Sequence, residues 1–116
     1  MGYDTKLADR VRRAVAGKRR ITEKKMFGGV AFLLDGKMFC GVASHDLMVR
    51  VGPERHEEAL RKPHARPMDF TGRPMKGYVF VGPEGCRTQR QIVAWVDKST
   101  SFVATLVSDA RRRSPR

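Results

Sequence analysis

Apolar positions along the chain fall into blocks of different period, and each period predicts an element. Leu7, Val11, Ala14 and Val15 recur at helical spacing. Asp4 stands in front of them as an N-cap and Gly17 behind as a stop, which predicts a first helix running to about Ala16. The block VAFLLDGKMFCGVA is two apolar runs joined by Asp35-Gly36. That dipeptide favours a two-residue type I′ hairpin, because both of its turn positions need positive φ. The turn predicts Phe32 opposite Phe39, Leu33 opposite Met38 and Ala31 opposite Cys40. Near-continuous hydrophobicity places both strands centrally in a sheet, and DLMVRVG at 46–52 supplies a third strand.

Gly52-Pro53 then opens a short helix, with Glu54, Glu57 and Glu58 in its early turns and Pro63 ending it. HARPMDFTGRPMKGYVFVGPEG predicts two further strands, near 66–70 and 77–81, around a Thr71-Gly72 turn. Pro67 assigns the first of them to an edge. Thr88 and Gln91 form a capping box for a last helix, whose apolar face carries Ile92, Trp95, Val96, Phe102 and Leu106. Trp95 is expected in the core. The element order is therefore α-β-β-β-α-β-β-α, an α+β fold of two layers with a mainly antiparallel sheet. Residues 1–108 form one domain, and residues 109–116 a basic tail expected to fray or be disordered.

Charge changes this picture more than composition does. The chain has 116 residues and a formal charge of +12. Residues 1–25 and 109–116 together supply nine of the twelve excess charges. Lys6, Arg10 and Arg13 form a stripe on the first helix that runs on into Lys18, Arg19, Arg20, Lys24 and Lys25, with Arg111, Arg112 and Arg113 at the other end. Such ends suit phosphates or an acidic protein surface; a solvated helix face accounts for the same stripe without any partner. Nothing in the sequence resembles a helix-turn-helix or an aromatic-rich RNA-binding strand. No apolar run reaches the length of a membrane span and no secretory signal opens the chain, so no membrane role is expected and the location is read as cytoplasmic.

Candidate chemistry is sparse. His45, His56 and His64 lack the spacing of zinc ligands with each other or with Cys40 and Cys86, so no metal and no cofactor are expected. Cys40 lies mid-strand in an apolar run, where a thiol is inert. Cys86 precedes a helix start, a place that can lower a thiol pKa, and it is the one cysteine an enzyme reading could use. The carboxylates form no marked acid–base pair, and the reading is that the chain is not an enzyme. Gly28-Gly29 matches neither a Walker loop nor a dinucleotide-binding turn, and it leads into a strand. The pair is expected to make a bend or bulge where the chain enters the sheet, with Met26 and Phe27 anchoring that entry.

With these segments in place, KKMFGGVAFLLDGKMFCGVA resembles the opening strands of the TfoX/Sxy N-terminal domain family, through Met26-Phe27-Gly28-Gly29 and the Asp35-Gly36 turn. LMVRV is similar to its next strand. Pro74, Met75, Gly77, Tyr78 and Pro83 are similar to a later segment, and Trp95 to a tryptophan of the last helix. The resemblance implies a two-layer α+β domain like those of secretion chaperones, and a link to transcriptional regulation. Full-length TfoX/Sxy proteins act with the cyclic-AMP receptor protein in competence and carry a second, helical domain; this chain is read as the first domain standing alone. The resemblance implies no catalytic residues. The expectation is thus a regulatory interaction module that contacts nucleic acid, or a transcription regulator bound to it, through the basic ends. The alternatives are a homodimeric protein–protein module whose charge only solubilises it, and, more remotely, a thiol enzyme using Cys86.

Overall fold

The structure, a computed structural model, describes residues 3–26, 28–68 and 75–113, and of residues 109–113 the backbone alone. Helix α1 covers Thr5–Ala14. Asp4 caps it, its carboxylate accepting from the N–H groups of Lys6 and Leu7 at 3.0 and 3.1 Å. The helix stops two residues before the expected end and unwinds through tight turns at 15–17. The left-handed conformation expected of a stop falls at Arg20, φ 67°, and not at Gly17.

Six strands follow: β1 (Ile21–Met26), β2 (Gly29–Leu34), β3 (Lys37–Ala43), β4 (Asp46–Arg50), β5 (Ala65–Pro67) and β6 (Tyr78–Val81). Every pairing is antiparallel, and the spatial order is β1-β2-β3-β4-β6-β5. A 3₁₀ turn at Pro53–Arg55 leads into α2 (His56–Leu60), and β6 leads through a second at Pro83–Gly85 into α3 (Gln89–Arg113). Pro67 lies on an edge strand, as its missing N–H requires. The predicted Thr71-Gly72 turn lies outside the described residues.

Strand β1 corrects the expected strand count. ITEKKM has no buried position, so no apolar alternation marks it, yet it pairs with β2 along its whole length. The glycine pair is consequently a turn between two strands and not an entry into the sheet. Met26 pairs with Gly29, and Gly28 sits between them with φ 73°. Met26 is half-buried at the end of β1; Phe27 lies outside the described residues. Gly29 is constrained differently, since a Cβ there would overlap the carbonyl oxygen of Val42 on β3.

The Asp35-Gly36 turn is as expected, with both φ positive (51° and 81°), and Leu33 faces Met38. Beyond that pair the register departs from expectation. A shift between Phe32 and Leu33 leaves Phe32 opposite Cys40 and Ala31 opposite Gly41. Phe39 is the extra residue of this bulge, which lets Phe39 and Cys40 both bury completely.

One face of the sheet carries all three helices. The core joins Leu7 and Val11 of α1, Val15 just beyond it, and Ile92, Trp95, Val96 and Val103 of α3 to Val30, Phe32, Val42, Leu47 and Val49 of the sheet. The capping box at the start of α3 is formed: Gln91 N–H donates to Thr88 Oγ1 at 3.1 Å, and Thr88 N–H to Gln91 Oε1 at 3.0 Å. Helical backbone continues to Arg113, into the stretch expected to fray. Arginine is a good helix former and its charge suits the negative end of the helix dipole.

The two glycines should separate by variant. Gly28→Ala meets no neighbour and pays only the left-handed backbone, about 1–2 kcal/mol. Gly29→Ala forces two strands apart and should cost about 3 kcal/mol. Urea unfolding followed by Trp95 fluorescence should rank them in that order.

Candidate functional site

The helix layer sorts the cations into occupied and unoccupied ones. Arg12 points across α1 toward the sheet edge. Its Nε and Nη2 donate to the two Glu23 carboxylate oxygens at 2.8 and 2.9 Å, and its Nη1 to Asp9 at 2.6 Å. These bonds to Glu23, opposed by desolvation, raise the guanidinium pKa and hold the Glu23 carboxyl below its ordinary range. Arg20 donates to Asp35 Oδ2 at 2.9 Å and its carbonyl accepts from Asp35 N–H, so it braces the β2–β3 turn.

Lys6, Arg10, Arg13, Lys18, Arg19, Lys24 and Lys25 make no ion pair among the described residues. They do not share one surface. Lys6 and Arg13 are exposed on the outer side of α1, with Arg10 half-buried beside α3, while Lys18 and Arg19 occupy the α1–β1 connection. Alternation along β1 sends Lys25 to the helix-bearing side with Glu23, and Lys24 to the opposite side with Thr22. Arg111–Arg113 end α3, and their side chains lie outside the description.

Tertiary packing adds an arginine, Arg87, that sequence reasoning did not select. The Gln89 side chain of α3 donates to the Arg10 carbonyl at 2.8 Å, which sets the start of α3 against the middle of α1. Arg87 thereby joins Arg10 in lining one cleft with Asp4, Leu7, His45, Pro83, Glu84 and Cys86. Arg90, exposed on the first turn of α3, lies next to Gln89. The positive end of the α3 dipole adds to the potential there. Nothing local to residues 87–90 signals α1 as a neighbour; the contact spans 79 positions.

Cys86 does not gain the lowered pKa that a helix start can give a thiol. Its thiol is buried, with Sγ 3.3 Å from the Gly82 carbonyl, and burial pushes its pKa up to about 11. The 3₁₀ turn and the capped α3 leave the sulfur under the surface, so the helix start does not activate it. Burial raises the Cys40 thiol further. His56 is buried, its Nδ1 accepting from Gly77 N–H at 2.9 Å, which places a neutral ring's proton on Nε2. Among the described residues no group of three or more His, Cys, Asp or Glu side chains could hold a metal ion. Among the described residues no helix is long and apolar enough to cross a membrane.

A two-layer α+β domain with three helices on one face of an antiparallel sheet is thus the class of protein defined here. The family model of the TfoX N-terminal domain matches residues 13–103, and the chain belongs to that family. Neither the curated proteins nor the solved structures yield a significant match.

Two measurements follow from these groups. Near pH 8, an aromatic disulfide reagent should label neither cysteine of the native protein readily and both at once in denaturant. Glu23, lowered in the folded state, should stabilise above its ordinary value of 4.5 and lose that contribution as pH falls through the lowered one. Arg12 and Glu23 are each 40% exposed, so Glu23→Gln should cost under about 1 kcal/mol at neutral pH and nothing in strong acid, as read from urea midpoints.

Proposed function

We propose that this domain is a non-enzymatic regulatory module that holds nucleic acid, or a regulator bound to it, against the outer face of α1 and the first turn of α3. The observation that carries the reading is the division of the cations. Arg12 and Arg20 are committed to carboxylates within the fold, whereas Lys6, Arg10 and Arg13 are not, and the packing of α3 brings Arg87 to line one cleft with Arg10. Cations spread along two adjoining helices suit a phosphate backbone, giving affinity without base readout. Membership of the TfoX N-terminal domain family supports a regulatory role. The raised Cys86 pKa weighs against the thiol-enzyme alternative.

Fluorescence anisotropy with labelled duplex DNA, single-stranded DNA and RNA at rising salt tests the reading. If about six phosphates are neutralised, affinity for duplex should fall about a thousandfold between roughly 50 and 200 mM salt. Arg10→Glu/Arg13→Glu should weaken binding and reduce the salt slope by about two. Lys24→Glu/Lys25→Glu, on the sheet edge, should change it less. Arg20 is left intact because its loss would disturb the Asp35 turn. Absence of binding at low salt would sink the proposal and leave the charge a solubilising one.

A further inference from the structure

On the opposite side of α3 from α1, a groove of about 450 Å³ separates the helix from the Pro53–Arg55 turn. That volume is within the range of small-molecule sites. Its apolar wall is Val51, Phe102 and Leu106. Phe102 is fixed in place: its ring lies against the backbone of Gly52, where a Cβ would come within 2.5 Å of ring carbon Cδ1. Gly52 has φ 90°, a conformation that also favours glycine. The Arg50 guanidinium covers the same ring at 5.6 Å. The polar wall is supplied by Glu54, Arg55, Lys98, Ser101 and Thr105, and neither cation is ion-paired among the described residues. A small adjoining hollow under α2 is also lined by Val51, Arg55 and Lys98. The two cations therefore stand at the junction, while Glu54 lines only the first hollow and Glu58 only the second.

We propose that this groove binds a small amphipathic anion, a carboxylate with an apolar tail, whose tail lies on Phe102 and Leu106 and whose head lies between Arg55 and Lys98. The position of the charges decides the sign of the head. A cationic head placed at the junction meets Arg55 and Lys98, and a neutral one leaves both unmatched. The proposal is independent of nucleic-acid binding, which uses the other side of α3.

Trp95, the one tryptophan of the chain, lies two helical turns before Phe102 and is buried in the core, so it can report on the groove. Anilinonaphthalene sulfonate, an amphipathic anion, should gain fluorescence by energy transfer from Trp95 and be displaced by decanoate. Decanol and decylammonium should each need about tenfold higher concentration, the ratio expected for a charge-assisted hydrogen bond. Arg55→Glu/Lys98→Glu should remove the preference for decanoate over decanol while leaving the urea midpoint unchanged. Ser101→Phe, an exposed position whose enlarged side chain fills the groove, should abolish binding of all three. Absence of a transfer signal, equal displacement by decanol, stronger displacement by decylammonium, or a charge-reversed variant that keeps the decanoate preference would overturn the proposal.

Discussion

Two apolar helix stripes buried on one face of an antiparallel sheet determine most of what this domain presents to solvent. Leu7 and Val11 of α1, Val15 at its C-cap, and Ile92, Val96 and Val103 of α3 are all removed from water. Each such side chain contributes roughly 1.5–3 kcal/mol. Once those stripes face the sheet, the helical period turns Lys6 and Arg13 outward and sends Arg12 sideways to Glu23. The same requirement holds Gln89 against Arg10 and leaves Phe102 at the margin, where Gly52 admits its ring. The charged face and the groove are consequences of one packing arrangement, on opposite sides of α3.

Elements with a dense apolar signature were legible before any coordinates. The hairpin at Asp35-Gly36, the strand expected at 46–52 and observed at Asp46–Arg50, the capped α3 and the edge position of Pro67 all followed from local chemistry. Strand β1 did not, because an edge strand with no fully buried side chain carries no alternation to detect; its order comes from pairing with β2. The bulge at Phe39 was hidden for a related reason. Turn chemistry sets the first pairs of a hairpin, while the pairs beyond them answer to the core, which here takes both Phe39 and Cys40.

The candidate site was legible only as a list of charges. Lys6, Arg10 and Arg13 could be assigned to one stripe from helical spacing alone. That Arg20 is committed to Asp35, that Lys24 and Lys25 face opposite ways, and that Arg87 lines a cleft with Arg10 of α1 are facts about partners distant in sequence. Formal charge counts cations; tertiary structure decides which of them have a carboxylate to answer to. The reversal at Cys86 has the same origin, since a local rule for helix starts cannot know that the sulfur will be covered.

The two edges of the sheet bear on the behaviour of this protein at high concentration. An antiparallel sheet can lengthen by adding strands from neighbouring molecules, as fibrils do, wherever an edge offers a row of free N–H and carbonyl groups. Here β1 offers six residues but sets Glu23, Lys24 and Lys25 on alternate faces, so an incoming copy would desolvate charge on both. At the far edge β5 is three residues long and ends in Pro67, which cannot donate. Lysines that stand outside any ion pair among the described residues therefore raise the cost of extending the sheet at this edge, and they do so without any ligand.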